Sequence, residues 1–165
     1  MAERRPRIRA VDERTAALVA AGLERSAILR ALVNRIDAGH VIVYVSMNPR
    51  MTSGLAGCVT FQGAGGGYRY LRASLNPDLP PDQLLASLAH ELHHVVEVMD
   101  HPEVRSEAGL VSLYKRIGHQ SRVSRTQGWE TDAARQVGAS VRRELKAGAT
   151  TALARRPTAA QAQFH

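Results

Sequence analysis

Five consecutive residues, His90-Glu91-Leu92-His93-His94, carry the most evident chemistry of this chain. They fit the pattern H-E-x-x-H, which places two imidazoles one helical turn apart beside a carboxylate. Two such rings can bind a zinc ion, and the carboxylate can take a proton from a water that the ion activates. We therefore expect His90 and His94 to be metal ligands and Glu91 to be a general base.

The motif lies in a helix that the sequence predicts from Pro81 to about Met99. A proline and then an acidic residue open it, as suits the free N–H groups and the positive dipole end of a first turn. Apolar residues recur at helical spacing and predict a face packed on the core, namely Leu84, Leu88, Leu92, Val95 and Met99. His90, His94 and Glu97 share the other side of the helix, and we expect them to point away from the core.

A catalytic zinc usually has three protein ligands and one open position, so a third ligand must come from elsewhere. The candidates are Glu97, Asp100, His101, His119 and Glu130. Glu130 begins a second helical pattern that stops at Gly148, and it aligns with the apolar face of that pattern. Because an unpaired buried carboxylate is costly, such a residue should be protonated, pair with a cation or bind a metal.

His90-Glu91-x-x-His94 followed by Glu130 resembles the gluzincin zinc metallopeptidases, whose third ligand is a glutamate on a later helix. The resemblance covers roughly residues 81 to 147. It implies His90, His94 and Glu130 as zinc ligands and Glu91 as general base in the hydrolysis of peptide or related amide bonds. Many gluzincins carry an aspartate four residues after that glutamate, where it orients a ligand histidine. This chain has Ala134 there, which leaves Glu97 and Asp100 as candidates for that role.

A second zincin class, the metzincins, resembles H-E-x-x-H-x-x-G-x-x-H, sometimes with aspartate as the last residue. Asp100 stands at that last position, but Glu97 replaces the glycine and no methionine follows Met99 to form the methionine turn. The gluzincin resemblance is therefore favoured. Such sites usually add a side chain that stabilises the oxyanion, for which Tyr114 and His119 are the nearest candidates.

Two other functions remain open at this point. A fourth protein ligand, such as His101 or His119, would close the site and make it a zinc-stabilised binding module. A regulatory or scaffold protein could also keep a zincin fold without turnover. We favour a hydrolase with a peptide or protein substrate, because Glu91 has no role in a purely structural site.

The elements around the motif helix predict an α+β fold. Two helices, 12–21 and 27–37, precede strands at 41–45, 57–62 and 68–75, and a further helix is predicted over 102–117. We expect a small zincin-like domain in which a three-stranded, mainly antiparallel sheet packs against the motif helix, with flanking N- and C-terminal helices. By analogy with zincins, strand 68–75 would lie along the substrate cleft.

Composition limits the remaining possibilities. The single cysteine, Cys58, excludes an intramolecular disulfide and a cysteine-based zinc site. The net charge of +7 comes with no recognised nucleic-acid motif, so we expect a solvated basic surface and no specific nucleic-acid partner. No apolar run approaches a membrane span and no signal segment is evident, which predicts a soluble protein, cytoplasmic if the chain is complete. We expect a basic arm at 1–10, one domain at 11–148 and a disordered tail at 149–165.

Overall fold

The computed structural model describes residues 5–51, 53–120 and 128–155, and this part of the chain forms five helices and six strands. In chain order the elements are β1 (Ile8–Ala10), α1 (Glu13–Arg25), α2 (Ala27–Asp37), β2 (Val41–Met47), β3 (Gly57–Gly65), β4 (Tyr68–Leu75), α3 (Pro81–Met99), α4 (Glu107–Ile117), β5 (His119–Gln120), β6 (Trp129–Glu130) and α5 (Asp132–Ala154). The predicted α+β class is confirmed.

The main sheet has four strands in the order β1-β2-β4-β3, and it is mixed. Strand β1 pairs parallel with β2, β2 pairs parallel with β4, and only β3 and β4 are antiparallel. The prediction of a three-stranded, mainly antiparallel sheet is therefore wrong. It overlooked β1, which falls within the stretch predicted as a basic arm. Helices α1 and α2 connect β1 to β2, and such a helical crossover joins parallel strands.

Strands β3 and β4 form an antiparallel hairpin with a tight turn. Gly66 and Gly67 join the strands with φ angles of +58° and +79°, the left-handed pair that a type I′ turn requires. Since β4 is paired on both sides, its predicted role beside a substrate is wrong, and β3 is the edge strand on that side of the sheet.

Helix α3 lies at the centre of the fold, between the sheet and α5. Apolar residues of one sheet face pack on it and belong to a core cluster that also includes buried residues of α2 to α5: Val41, Val43, Val45, Leu71, Ala73 and Leu75. The buried guanidinium of Arg69 donates to the carbonyls of Val98 (2.7 Å), His101 (2.8 Å) and Met99 (3.1 Å). Arg69 therefore ties the end of α3 to β4 and complements the negative end of its dipole.

Helices α1 and α5 both continue past a glycine at which the sequence predicted that they would end. Helix α1 continues through Gly22 to Arg25, because Gly22 serves close packing rather than helix termination. A Cβ there would lie 2.8 Å from Cδ1 of Leu29. Helix α5 likewise passes Gly148 and ends at Ala154, within the predicted tail, while residues 156–165 lie outside the described part. Among the described helices, none has the length and apolar character needed to cross a bilayer.

Candidate metal centre

Three side chains converge at the middle of α3 in the way the motif predicts. His90 and His94 bring their Nε2 atoms within 3.1 Å of each other, and Oε1 of Glu130 lies 3.3 Å from Nε2 of His90. One ligand atom from each of these residues falls within 4.8 Å of the other two, so the group could hold a metal ion.

The dimensions of the group fit a small divalent cation. Zinc binds nitrogen and oxygen ligands at about 2.0–2.1 Å, so neighbouring ligands of a tetrahedral ion lie about 3.3 Å apart. The two distances of 3.1 and 3.3 Å agree with this value. In addition, Oε1 of Glu130 is buried and has no hydrogen-bond partner among the described residues. A buried anionic oxygen of this kind is best accommodated by a cation.

The histidine face of α3 is covered, contrary to the expectation that it points away from the core. His94 is 2% exposed and His90 is partly buried, because α5 packs along this side of the helix and Tyr114 of α4 contacts the ring of His94. Gly138 of α5 permits the close approach, since a Cβ there would already lie 3.5 Å from Cβ of His90. His94 is therefore sheltered from bulk water, whereas the side chains of His90 and Glu130 keep 19% and 24% of their exposure.

Glu130 reaches the site from a strand and not from the helix predicted for it. It ends β6, which pairs with β5 in a two-stranded ladder, and α5 begins two residues later with Thr131 as its N-cap. Gly118 fits against this segment because a Cβ there would lie 2.4 Å from the carbonyl oxygen of Glu130. The apolar alignment of Glu130 therefore did not reflect a helix position.

Glu97 holds the ring of His94 in one orientation. Its Oε2 lies 2.7 Å from Nδ1 of His94, which directs Nε2 of that ring toward His90. Thr131 donates its hydroxyl to Oε1 of Glu97 at 2.6 Å, and Tyr114 donates to Oε2 at 3.2 Å. Nε2 of His93 lies 3.6 Å from the same carboxylate. Glu97 thus has the geometry for the orienting role that the sequence left open between it and Asp100.

The other candidate ligands lie outside the group. Asp100 pairs with Arg35 at 2.6 Å, and Nδ1 of His101 lies 2.7 Å from the carbonyl oxygen of Glu97. His119 is exposed on β5. Tyr114, a candidate for oxyanion stabilisation, is buried behind the site, where its ring contacts His94 edge-on at 5.3 Å and stacks on Trp129 at 6.0 Å. Its hydroxyl donates to Glu97, so Tyr114 stabilises the buried side of the site.

Glu91 is a buried carboxyl beside this group. It is 3% exposed, and its Oε2 has no hydrogen-bond partner in the described part of the chain. Burial raises the pKa of Glu91 to about 7, although the charge of His94 opposes this shift. The main chain of β3 passes directly over the carboxyl at Gly57, where a Cβ would lie 2.5 Å from Oε1 of Glu91. The sequence offered no sign that Gly57 fulfils this packing role.

The pKa values of the two histidines shift in opposite directions, and only the shift of His90 favours the neutral ring that a metal ligand requires. Burial, helped by the charge of His94, lowers the pKa of His90 to about 3, so this ring is neutral at pH 7. Burial acts to lower the pKa of His94 as well, but its hydrogen bond to the carboxylate of Glu97 and the other nearby carboxylates outweigh burial and raise this pKa. The same contact lowers the pKa of Glu97 despite its burial.

A cleft of about 220 Å³ opens beside the group, between the start of β3 and the α3–α5 pair. His90, Glu91 and Glu130 lie on its wall. Arg142 of α5 also lines it, and its positive charge contributes to the low pKa of His90. Comparison of the chain with protein-family models, curated proteins and solved structures finds no match.

Proposed function

We propose that the protein is a zinc-dependent hydrolase that cleaves peptide bonds. His90, His94 and Glu130 would hold the zinc ion and Glu91 would be the general base. The proposal rests mainly on one observation, the convergence of three ligand atoms within 4.8 Å beside the buried carboxyl of Glu91. A structural zinc site is closed by four protein ligands and needs no such acid. The resemblance of the motif to gluzincins supports the same function.

The reaction would use the residues as follows. A zinc ion supplies Lewis acidity, which lowers the pKa of water and polarises a carbonyl group. Glu91 accepts a proton from the attacking water at its carboxylate and returns it to the leaving amine. Glu97 holds His94 in one orientation throughout, so that no reorganisation of this ligand accompanies the chemistry.

An extended peptide fits the edge of β3 near Glu91. The N–H of Phe61 points outward to Glu107 at 3.0 Å, whereas the carbonyl of Ala56 points inward to the N–H of Asn76 at 2.9 Å. Since main-chain groups alternate along a strand, those of Gly57 and Val59 face outward like Phe61. An added strand can pair there with its backbone close to the metal group. This arrangement favours a peptide over a compact substrate.

The test combines metal analysis with peptide cleavage. The purified chain is loaded with zinc, its metal content is measured, and it is incubated with a library of quenched fluorescent peptides with and without a chelator. We expect about one zinc per chain and chelator-sensitive cleavage. The variant Glu91→Gln should keep the zinc and lose cleavage by at least about a thousandfold.

Exposed Glu103, paired with Arg116 far along α4, provides the matched control. Glu103→Gln should retain both zinc and activity. A wild-type protein that binds zinc and cleaves no peptide would instead be a binding module, and full activity in Glu91→Gln would remove the proposed base.

A further inference from the structure

The second face of the main sheet carries a concentration of tyrosine and arginine. Side chains alternate between the faces of a strand, so the neighbours of core residues such as Val43 and Leu71 point to the opposite side. Arg9, Tyr44 and Arg72 are register partners in one row across β1, β2 and β4. We name this surface the tyrosine–arginine face and define it by Arg7, Arg9, Tyr44, Tyr68, Tyr70 and Arg72. It contains three of the four tyrosines of the chain.

The arginines of this face are held against the tyrosine rings. The guanidinium of Arg7 lies 4.3 Å from the ring centre of Tyr68 and donates to its hydroxyl at 2.9 Å. Arg9 lies 5.9 Å from the ring centre of Tyr44 and donates to that hydroxyl at 3.3 Å. These contacts fix the positive charges along the sheet, because cation–π attraction and a hydrogen bond act together.

The strands that form this face carry arginines but no acidic side chain. The four strands of the main sheet contain no aspartate or glutamate. Arg7 is 8% exposed, and its Nε has no hydrogen-bond partner among the described residues. Asp37 is close, but its carboxylate accepts the main-chain N–H of Arg7 at 2.8 Å. Arg9 and Arg72 are only partly buried, so an anionic ligand would meet these two arginines, which no ion pair among the described residues neutralises.

The ring of Tyr70 is open toward β3, whereas the ring of Tyr68 already contacts Arg7 and His40. Gly65 and Gly63 are the register partners of Tyr68 and Tyr70, and a Cβ at either glycine would meet nothing within 4 Å. Helices α2 to α5 contribute buried residues to the core cluster on the other side of the sheet, and Leu18 and Val19 of α1 pack against it. Ile42 is buried at 3% exposure but lies outside that cluster, so the long side chains around it form a continuous layer.

We propose that the tyrosine–arginine face binds single-stranded nucleic acid without sequence preference. Tyrosine rings stack on bases of any type, and arginines neutralise the phosphates between them. A single strand suits the flat face better than a duplex, whose base faces are hidden in its own stack. An acidic peptide would use the arginines and leave the open ring of Tyr70 without a partner.

Fluorescence anisotropy with a labelled 20-nucleotide oligo(dT) tests the proposal on the full chain. Tyr70→Leu removes the ring while keeping an apolar side chain, and we expect binding to weaken at least about fivefold. Tyr70→Phe keeps the ring and should bind like the wild type. Arg72→Gln should weaken binding and reduce the slope of log K against log salt concentration by about 0.7. Arg143→Gln, on exposed α5, is the charge-matched control and should change neither quantity.

Several results would overturn the proposal. Equal effects of Arg72→Gln and Arg143→Gln, or unchanged binding by Tyr70→Leu, would mean that general positive charge attracts the oligonucleotide. Equal affinity for a duplex of the same length would exclude stacking. A dimer that dissociates on Tyr70→Leu, together with no binding of oligo(dT), would identify the face as a self-association surface. Since the face lies opposite α3, adding a chelator should leave binding unchanged, which separates this test from the hydrolase assay.

Discussion

Glu97 lies three residues after His94 on the same helix and holds its ring at 2.7 Å. The acid that orients this candidate ligand thus comes from α3 itself. The same carboxylate accepts the hydroxyl of Thr131, which directly follows the third ligand candidate. The carboxylate of Glu97 therefore helps to position both His94 and Glu130, although these two residues are 36 positions apart in the sequence.

Substitution of Glu97 should weaken metal binding without abolishing it. Glu97→Gln removes the charge that fixes His94, and supporting partners of this kind are worth about 10- to 100-fold in metal affinity. Competition of the purified variant against a zinc indicator measures the change. Asp100→Asn is the control, because Asp100 pairs with exposed Arg35 outside the site. Equal affinities for Glu97→Gln and wild type would show that His94 needs no such support.

Substitution of Glu130 should remove a ligand. Glu130→Gln replaces an anionic oxygen by a neutral amide, and we expect zinc content below one per chain after dialysis against a weak chelator. Asp132→Asn, two residues further on and exposed, should leave the zinc content at the wild-type level. If Glu130→Gln retains full zinc occupancy, the third ligand is a different residue.

Gly57→Ala should impair catalysis and spare the metal. The added methyl would lie 2.5–2.9 Å from Oε1, Cγ and Cδ of Glu91, so the carboxyl must move. A displacement of about 1 Å in a catalytic group can cost about a hundredfold in rate. We expect a loss of that order in kcat, with zinc content unchanged. Gly65→Ala, where a Cβ meets nothing within 4 Å, is the control, and equal activity of the two variants would contradict the packing argument.

Cys58 should be unreactive in the folded protein. Burial, with a smaller contribution from the charge of Glu91, raises the pKa of its thiol from near 9 to about 11. At pH 8 the thiolate fraction is then about one in a thousand. Alkylation by iodoacetamide should be slow in native protein and fast after denaturation. Rapid labelling of native protein would show that the thiol is accessible.

The raised pKa of Cys58 also makes the free energy of unfolding depend on pH, and the direction of that dependence follows from the shift. A pKa that is higher in the folded state means that the unfolded chain loses its proton first as pH rises. The contribution of Cys58 is thus fully present below about pH 9 and is lost as pH rises through about 11. Denaturant titrations of wild type and Cys58→Ala at pH 8 and pH 11 should differ in this direction.

The sequence predicted α3 and its motif because both follow short-range rules. Helical spacing and the opening proline depend on neighbours along the chain, and the structure places α3 at Pro81–Met99 as expected. The start of α2 follows a similar local rule, because Ser26 is its N-cap and accepts the N–H of Leu29. The prediction that His90, His94 and Glu130 form one group agrees with the geometry, although Glu130 lies in a strand.

Features that depend on distant partners escaped prediction. β1 is three residues long and becomes a strand only by pairing with β2, so its own residues carry little signal. The burial of His94 depends on α5 packing along a polar helix face and on Tyr114 of α4, which contacts the ring of His94. The closeness of Gly57 to Glu91 and of Gly118 to the Glu130 carbonyl is visible only in three dimensions. The tyrosine–arginine face combines residues from separate strands for the same reason.

The hydrogen bonds from Arg69 to the last turn of α3 bear on how the centre would respond when metal is withdrawn. They fasten the helix to β4 without any help from an ion, so we expect His90 and His94, two of the three proposed ligands, to keep their positions when no metal is bound. Glu130 is positioned by the short β5–β6 ladder and by Thr131, so we expect it to be the ligand that moves. Binding and release of an ion would then require rearrangement of the β6 segment alone, while α3 and the sheet stay rigid.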